Sequence, residues 1–232
     1  IAEAALEGDA GLAARLGEGA RRLGVSAASV FHLAWAQVLA RVSGREDVVF
    51  GTVLFGRMQG GAGADRAMGL FINTLPIRFR VGDEGVEASV RRAHGLLAEL
   101  LRHEHASLAL AQACSGVQPP APLFSSMLNY RHGTRMSADA PAADGRERIG
   151  GQERSNYPLT VSVDDLGDGF ALKAQTHDSA DPARVCAMLH TALDRLADAL
   201  EAAPATALAA LDVLPAAERE RVLREWNATD RP

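Results

Sequence analysis

Seven histidines are the first place to look for chemistry in this 232-residue sequence. His103 and His105 lie two apart in "RHEH", near the end of an amphipathic run. At ~100° per residue on a helix they point in nearly opposite directions, so they do not share a metal ion. A solvated helix end, with cations near the negative pole of the dipole, is the simpler reading. His32 falls inside an apolar helical run one turn from Trp35 and reads as a satisfied core histidine. His177 ends a strand beside Asp178 and is kept as a candidate for substrate contact. Cys114 and Cys186 make no metal pattern, and no HExxH occurs. "GRMQGGAGADR" (56–66) lacks the GK[ST] ending of a phosphate loop and leads into a strand, so it reads as a mobile or substrate-facing loop. "CSG" (114–116) is not a nucleophile elbow. No nucleophile, base and orienting group are spaced to form a set.

Polar residues placed within strands are the second signal. Asn73 and Thr74, Ser125 and Ser126, Asn129 and Tyr130, and Thr160 and Ser162 all stand where apolar residues are expected. A buried polar group needs a partner. Several on neighbouring strands predict a polar-lined channel or cleft; for one taken alone, bonding to nearby backbone is the competing explanation.

These residues are positioned by a predicted order of elements. "AGLAARLGEGARRLG" (10–24) spaces Leu12, Leu16 and Leu23 on a helical face and stops at Gly24. A buried helix follows, with Ser26 as its N-cap. "DVVFGTVLF" (47–55) reads as a central strand, apolar on both faces. "GLFINTLPIRFRV" (69–81) is a strand whose second half alternates Ile77, Phe79 and Val81 against Arg78 and Arg80. Residues 86–106 form a long amphipathic helix, 123–132 a strand and 133–154 a loop. Residues 156–178 form a hairpin turning at "LGDG", and 181–202 a helix capped by Asp181 with Pro182 in its first turn. The tail holds one short amphipathic helix. Strands separated by helices and by one hairpin predict an α/β fold with a mixed sheet.

Hydrophobic residues make up 47% and charged residues 23% of the chain, enough for a substantial core. A formal charge of −5 argues against nucleic acid as a partner. No apolar run approaches the ~20 residues of a membrane span. Two separate cysteines fit a reducing cytoplasm. The sequence does not begin with Met and ends on the polar "REWNATDRP", so both ends read as cuts from a longer polypeptide. Lys173 is the single lysine among otherwise arginine cations, which reads as coding bias.

"MGLFINTLPIRF" (68–79) resembles the fifth core motif of condensation domains in nonribosomal peptide synthetases, roughly [IVM]-G-x-F-[VI]-N-T-x-x-x-R, through Met68, Gly69, Phe71, Ile72, Asn73, Thr74 and Arg78. "DVVFGTVLFGR", ending at Arg57, resembles the segment just before it. "HEHASLALAQACSGV" (103–117) sits where the sixth motif belongs, although Ala106 and Ser107 replace its Q-D. "SNYPLTVSVDD" resembles the seventh through Asn156, Pro158 and Leu159, and the tail is similar to a linker leading into an adenylation domain.

The resemblance implies a chloramphenicol-acetyltransferase-like half-domain, with residues 1–203 as the C-terminal lobe and 204–232 as the linker. It implies bacterial secondary-metabolite biosynthesis and, for the parent enzyme, attack of an acceptor amine on a donor thioester. No cofactor is bound directly, and the substrates ride on phosphopantetheine arms. The implied partners are the N-terminal lobe, peptidyl carrier domains and an adjacent adenylation domain. The family's HHxxxDG motif belongs to the N-terminal lobe and is missing here, so the fragment alone is expected to be inactive. Asn73, Thr74, Ser126, Asn129, Tyr130 and Ser162 are expected to line the tunnel between lobes. A dual condensation/epimerisation or starter subtype, an ester-forming or cyclising relative, and a non-catalytic docking lobe all remain open.

Overall fold

The computed structural model describes residues 1–56, 68–133, 155–177 and 180–229. Arg57, most of the Gly-rich loop, nearly all of the 133–154 loop and Asp178 lie outside the described residues.

Six strands form one sheet in the order β1-β6-β5-β4-β2-β3. They are β1 (Ala2–Gly8), β2 (Asp47–Leu54), β3 (Asn73–Arg80), β4 (Ser126–His132), β5 (Leu159–Asp165) and β6 (Phe170–Thr176). β4 runs parallel to β2 and β5, while the other pairs are antiparallel, so the sheet is mixed as predicted. β1 escaped the sequence reading: "AEAALEG" is mostly exposed at an edge and carries little apolar signal.

The helices are α1 (Ala10–Leu23), α2 (Ala27–Ser43), α3 (Val86–Arg102), α4 (Leu108–Cys114), α5 (Pro182–Ala202) and α6 (Ala216–Glu220). α2 lies at the centre of the helical layer. Val30, Leu33, Ala34, Trp35 and Ala36 are all fully buried, which explains its lack of an amphipathic pattern. α1 starts where Asp9 Oδ1 accepts a hydrogen bond from Leu12 N at 2.7 Å. It ends at Gly24, whose φ of 66° is the left-handed cap predicted there. Asp181 caps α5 through Ala183 N. Among the described residues no single helix is long and apolar enough to cross a membrane.

Strand alternation sorts the sheet into two faces. The face toward α2 carries Phe50, Leu75, Ile77, Phe79, Leu128, Val161, Val163, Leu172 and Ala174, all buried. Fully burying one such large side chain contributes about 1.5–3 kcal/mol. Phe50 and Phe79 stack with ring centroids 5.6 Å apart, and Phe31 meets Phe170 edge-on at 5.3 Å. The hairpin turns through residues 166–169 as predicted, with Leu166 N donating to Gly169 O.

Two predicted elements differ. The strand expected from Gly69 begins at Asn73, because the chain around Phe71 crosses Gly56, where a Cβ would lie 2.0 Å from Phe71 O. The long helix ends at Arg102. His103 caps it, a turn follows, and Ser107 then caps α4. Beyond Ala203 the chain packs back on the domain. Leu208 is buried, Gln37 donates to Leu208 O and Leu211 O at 3.1 Å each, and Arg184 pairs with the buried Glu218.

Candidate functional site

Alternation separates the residues that the sequence grouped together. Thr74, Asn129 and Ser162 lie on the face opposite the helices. Asn73, Ser126 and Tyr130 lie on the helix-covered face, so the six do not line one surface. Neighbouring residues of a strand point to opposite sides, and the pairs Asn73/Thr74 and Asn129/Tyr130 are therefore divided.

The open face carries a transverse polar row. Lys173 on β6 is in register with Ser162 on β5, and Ser162 with Asn129 on β4. Across β2, Val53 pairs with Thr74 on β3. Lys173 Nζ is held by Glu3 Oε1 at 2.7 Å. Hydrogen bonds from Lys173 and then Gln175 hold the Glu3 carboxyl below its usual pKa. Asn129 Oδ1 and the neighbouring Thr160 Oγ1 are buried atoms with no hydrogen-bond partner among the described residues. An unpartnered buried acceptor is unfavourable in isolation, so these atoms mark where an incoming donor would be welcome. Phe124 and Tyr157 stack 5.2 Å apart, and Phe124 covers Gly51, where a Cβ would meet its ring at 2.4 Å. Arg78 is on this face near the amino-terminal end of β2, with its Nε donating to Asp47 Oδ1 at 2.8 Å. That bond holds the Asp47 carboxyl below its usual range.

The covered residues have internal partners or none in reach. Asn73 uses both ends of its carboxamide: Nδ2 donates to Glu104 O at 2.9 Å and Ala106 O at 2.7 Å, and Oδ1 accepts from Thr74 N at 2.9 Å. Tyr130 packs on Phe31, and its hydroxyl donates to Asp165. Burial first, and then the Asp165 carboxylate, push the Tyr130 pKa up. Burial pushes Asp165 up as well. Hydrogen bonds from Tyr130, Gly167 N and His132 outweigh it, leaving that carboxyl below its ordinary value. Ser126 Oγ is buried without a partner among the described residues, beside a cavity lined in part by Leu39, Val48 and Phe124.

Among the motif residues, Gly69 has φ 149° and precedes β3, Phe71 is half-buried, and Asn156 and Pro158 are exposed just before β5. His177 is exposed at the end of β6, its N–H bonded to Pro158 O. His32 is buried: Nδ1 bonds Ala28 O and Nε2 bonds Thr52 Oγ1, each at 2.7 Å, as the core reading predicts. The Tyr130–Asp165–His132 group was missed because its members, 33 to 35 residues apart, are brought together only by the parallel β4·β5 register. Glu104 was also missed: it sits within "RHEH" yet its side chain is only 1% exposed.

A family model described as "Condensation domain" matches residues 2–223. Malpinin synthetase from Mortierella alpina is 54% identical over 210 residues, covering 90% of this chain and 3% of the relative. One of the linear gramicidin synthase proteins of Brevibacillus parabrevis is 33% identical over 221 residues, covering 92% of this chain and 4% of that protein. The chain thus spans a small part of these relatives, which come from a fungus and a bacterium, so the bacterial source that the resemblance implied is not established. The condensation domain of the monacolin K polyketide synthase MokA superposes with a TM-score of 0.70 at 22% identity, covering 89% of this chain and 48% of that one. A four-domain nonribosomal peptide synthetase bound to AMP and glycine superposes with a TM-score of 0.74 at 13% identity, covering 93% of this chain and 18% of that one. The mixed six-stranded sheet with one helical layer is that same chloramphenicol-acetyltransferase-like architecture, and the chain belongs to the condensation domain family.

Proposed function

We propose that this chain is the C-terminal lobe of a condensation domain that joins two carrier-bound thioesters in nonribosomal peptide synthesis. The observation that carries the reading is the polar sheet face opposite the helices, on a chain that covers 48% of a solved condensation domain. Thr74, Asn129 and Ser162 line the channel from this side, and an N-terminal lobe bearing HHxxxDG closes it. The acceptor amine attacks the donor thioester carbonyl: a C–N bond forms, the C–S bond breaks, and the proton lost by nitrogen ends on the leaving thiol. Phosphopantetheine arms of carrier domains deliver both substrates in the cytoplasm. Residues 204–232 lead toward an adenylation domain, their first part docked on the lobe. The replaced Q-D at Ala106 and Ser107 fits a dual condensation/epimerisation or starter subtype.

The same replacement favours one competing reading, a non-catalytic docking lobe. A peptide-forming assay with two loaded carriers separates them. This chain alone should give no product, because positioned general-base help typically contributes ~10²–10⁴-fold and the histidine motif is missing. The intact two-lobed domain should give product. Turnover by the chain alone overturns the half-domain reading, and an intact domain that binds loaded carriers without turnover establishes the docking one.

A further inference from the structure

Asn73 is half-buried at the first position of β3, and its carboxamide is bonded at both ends to backbone. Both amide hydrogens go to carbonyls of one turn, at Glu104 and Ala106. The side-chain oxygen holds the next residue of its own strand, Thr74. Both donor hydrogens of Asn73 are thus committed to the turn. The turn it grips is closed by Ala106 N to His103 O at 2.8 Å and leads directly into α4 through the Ser107 cap, whose Oγ accepts from Leu110 N at 3.1 Å.

α4 needs such an anchor. It has seven residues and none of them is buried. A helix this short is not stable by propensity, and its apolar side is only half-buried, at Leu108 and Ala111. The Asn73 clamp and the Ser107 cap therefore hold its first turn beside the edge strand, while Gln112 Nε2 ties its other end to Val117 O at 2.8 Å and Ala121 O at 3.2 Å. That place is the end of the sheet where β2, β4 and β5 finish, the end at which α/β sheets put ligands. Phe55, Leu70, Ile72 and Leu110 are all exposed there.

We propose that Asn73 is a positioning residue. It fixes the 103–107 turn, and with it α4, at the rim of the channel, and so acts on condensation through that turn rather than by touching substrate. The inference rests on the condensation reading for its link to turnover, but the clamp itself is a property of the fold.

The test is a double-mutant cycle in the intact two-lobed domain, with Asn73→Ala, Ser107→Ala and the pair, read by single-turnover peptide formation per folded molecule at saturating loaded carriers. Losing both hydrogen bonds to the turn lowers the rate ~5–150-fold for Asn73→Ala, and a lost cap lowers it a few-fold for Ser107→Ala. Because both act through one turn, the pair should lose little more than Asn73→Ala alone. Hydrogen exchange of the amides from 106 to 111 in the same protein should speed up in Asn73→Ala. Losses that multiply overturn the proposal, since Asn73 would then act independently of the turn. Faster exchange with unchanged turnover overturns it too, leaving a merely structural clamp. Unchanged exchange overturns the clamp whatever the turnover. A wild-type domain whose exchange follows the clamp but which forms no peptide removes both the condensation reading and the positioning role, while a failed cycle in an active domain removes only the latter.

Discussion

His32 should make the fold acid-sensitive through a single imidazole. Its Nδ1 faces a carbonyl, Ala28 O, and so carries the proton; Nε2 then accepts from the Thr52 hydroxyl. The ring is enclosed, 3% exposed, beside Phe50 and Tyr130. Burial drives its pKa down from 6.5 to about 4, partly offset by the bond to Ala28. Charging the ring would also turn Nε2 into a donor and strip Thr52 of its acceptor. The sign follows from proton counting. Between pH 6.5 and about 4 the unfolded chain binds this proton and the folded one does not, so stability falls as pH falls across that window and is unaffected by this group above it. The gap between the two values corresponds to about 3 kcal/mol in full, and to about 2.5 kcal/mol by pH ~4.5. Urea unfolding at a series of pH values, compared with His32→Gln, isolates the contribution. The variant should start weaker at neutral pH, having lost a buried bond, but its stability should fall less steeply across the same acid window. Equal slopes for both proteins, or an NMR titration of His32 near its ordinary value of 6.5, would refute the reasoning.

Gly56→Ala should be among the most damaging single changes. It places a side chain at φ 67° with Cβ 2.0 Å from a backbone oxygen, and a loss of at least about 2 kcal/mol is expected in chemical denaturation. Arg184→Ala leaves the buried Glu218 paired, among the described residues, with Arg221 at 3.4 Å, and should lower the thermal midpoint by destabilising the domain about 1–3 kcal/mol; an unchanged midpoint would show that the tail's docking does not depend on the pair. Asn129→Ala in the intact domain removes an acceptor that makes no bond among the described residues, so peptide formation should drop about three- to tenfold with the melting temperature nearly unchanged. A lower melting temperature with normal turnover would take Asn129 out of the channel.

The helices and central strands were legible because their signals are local. Gly24 and the Asp181–Pro182 pair declare helix ends by capping chemistry, and the apolar run of α2 declares itself by burial on nearly all sides. What was not legible depended on register. The parallel pairing of β4 with β5 assembles Tyr130, His132 and Asp165, and no spacing along the chain announces it. The break between α3 and α4 was hidden because no Gly or Pro follows Arg102 to signal a stop, while the side chain on β3 that grips the turn lies some thirty residues earlier.

Asn73 shows the difference most sharply. The alternation of Ile77, Phe79 and Val81 toward the core already places every second residue back to Asn73 on the same covered side. Thr74 alone of that pair can face the channel. An asparagine at a core-facing strand start is tolerable only if its donors and acceptor are all satisfied, and backbone carbonyls of a tight turn do this where apolar side chains cannot. The polar residue that looks most like a substrate contact in the sequence is thus the one whose two donor hydrogens are already committed to a backbone turn.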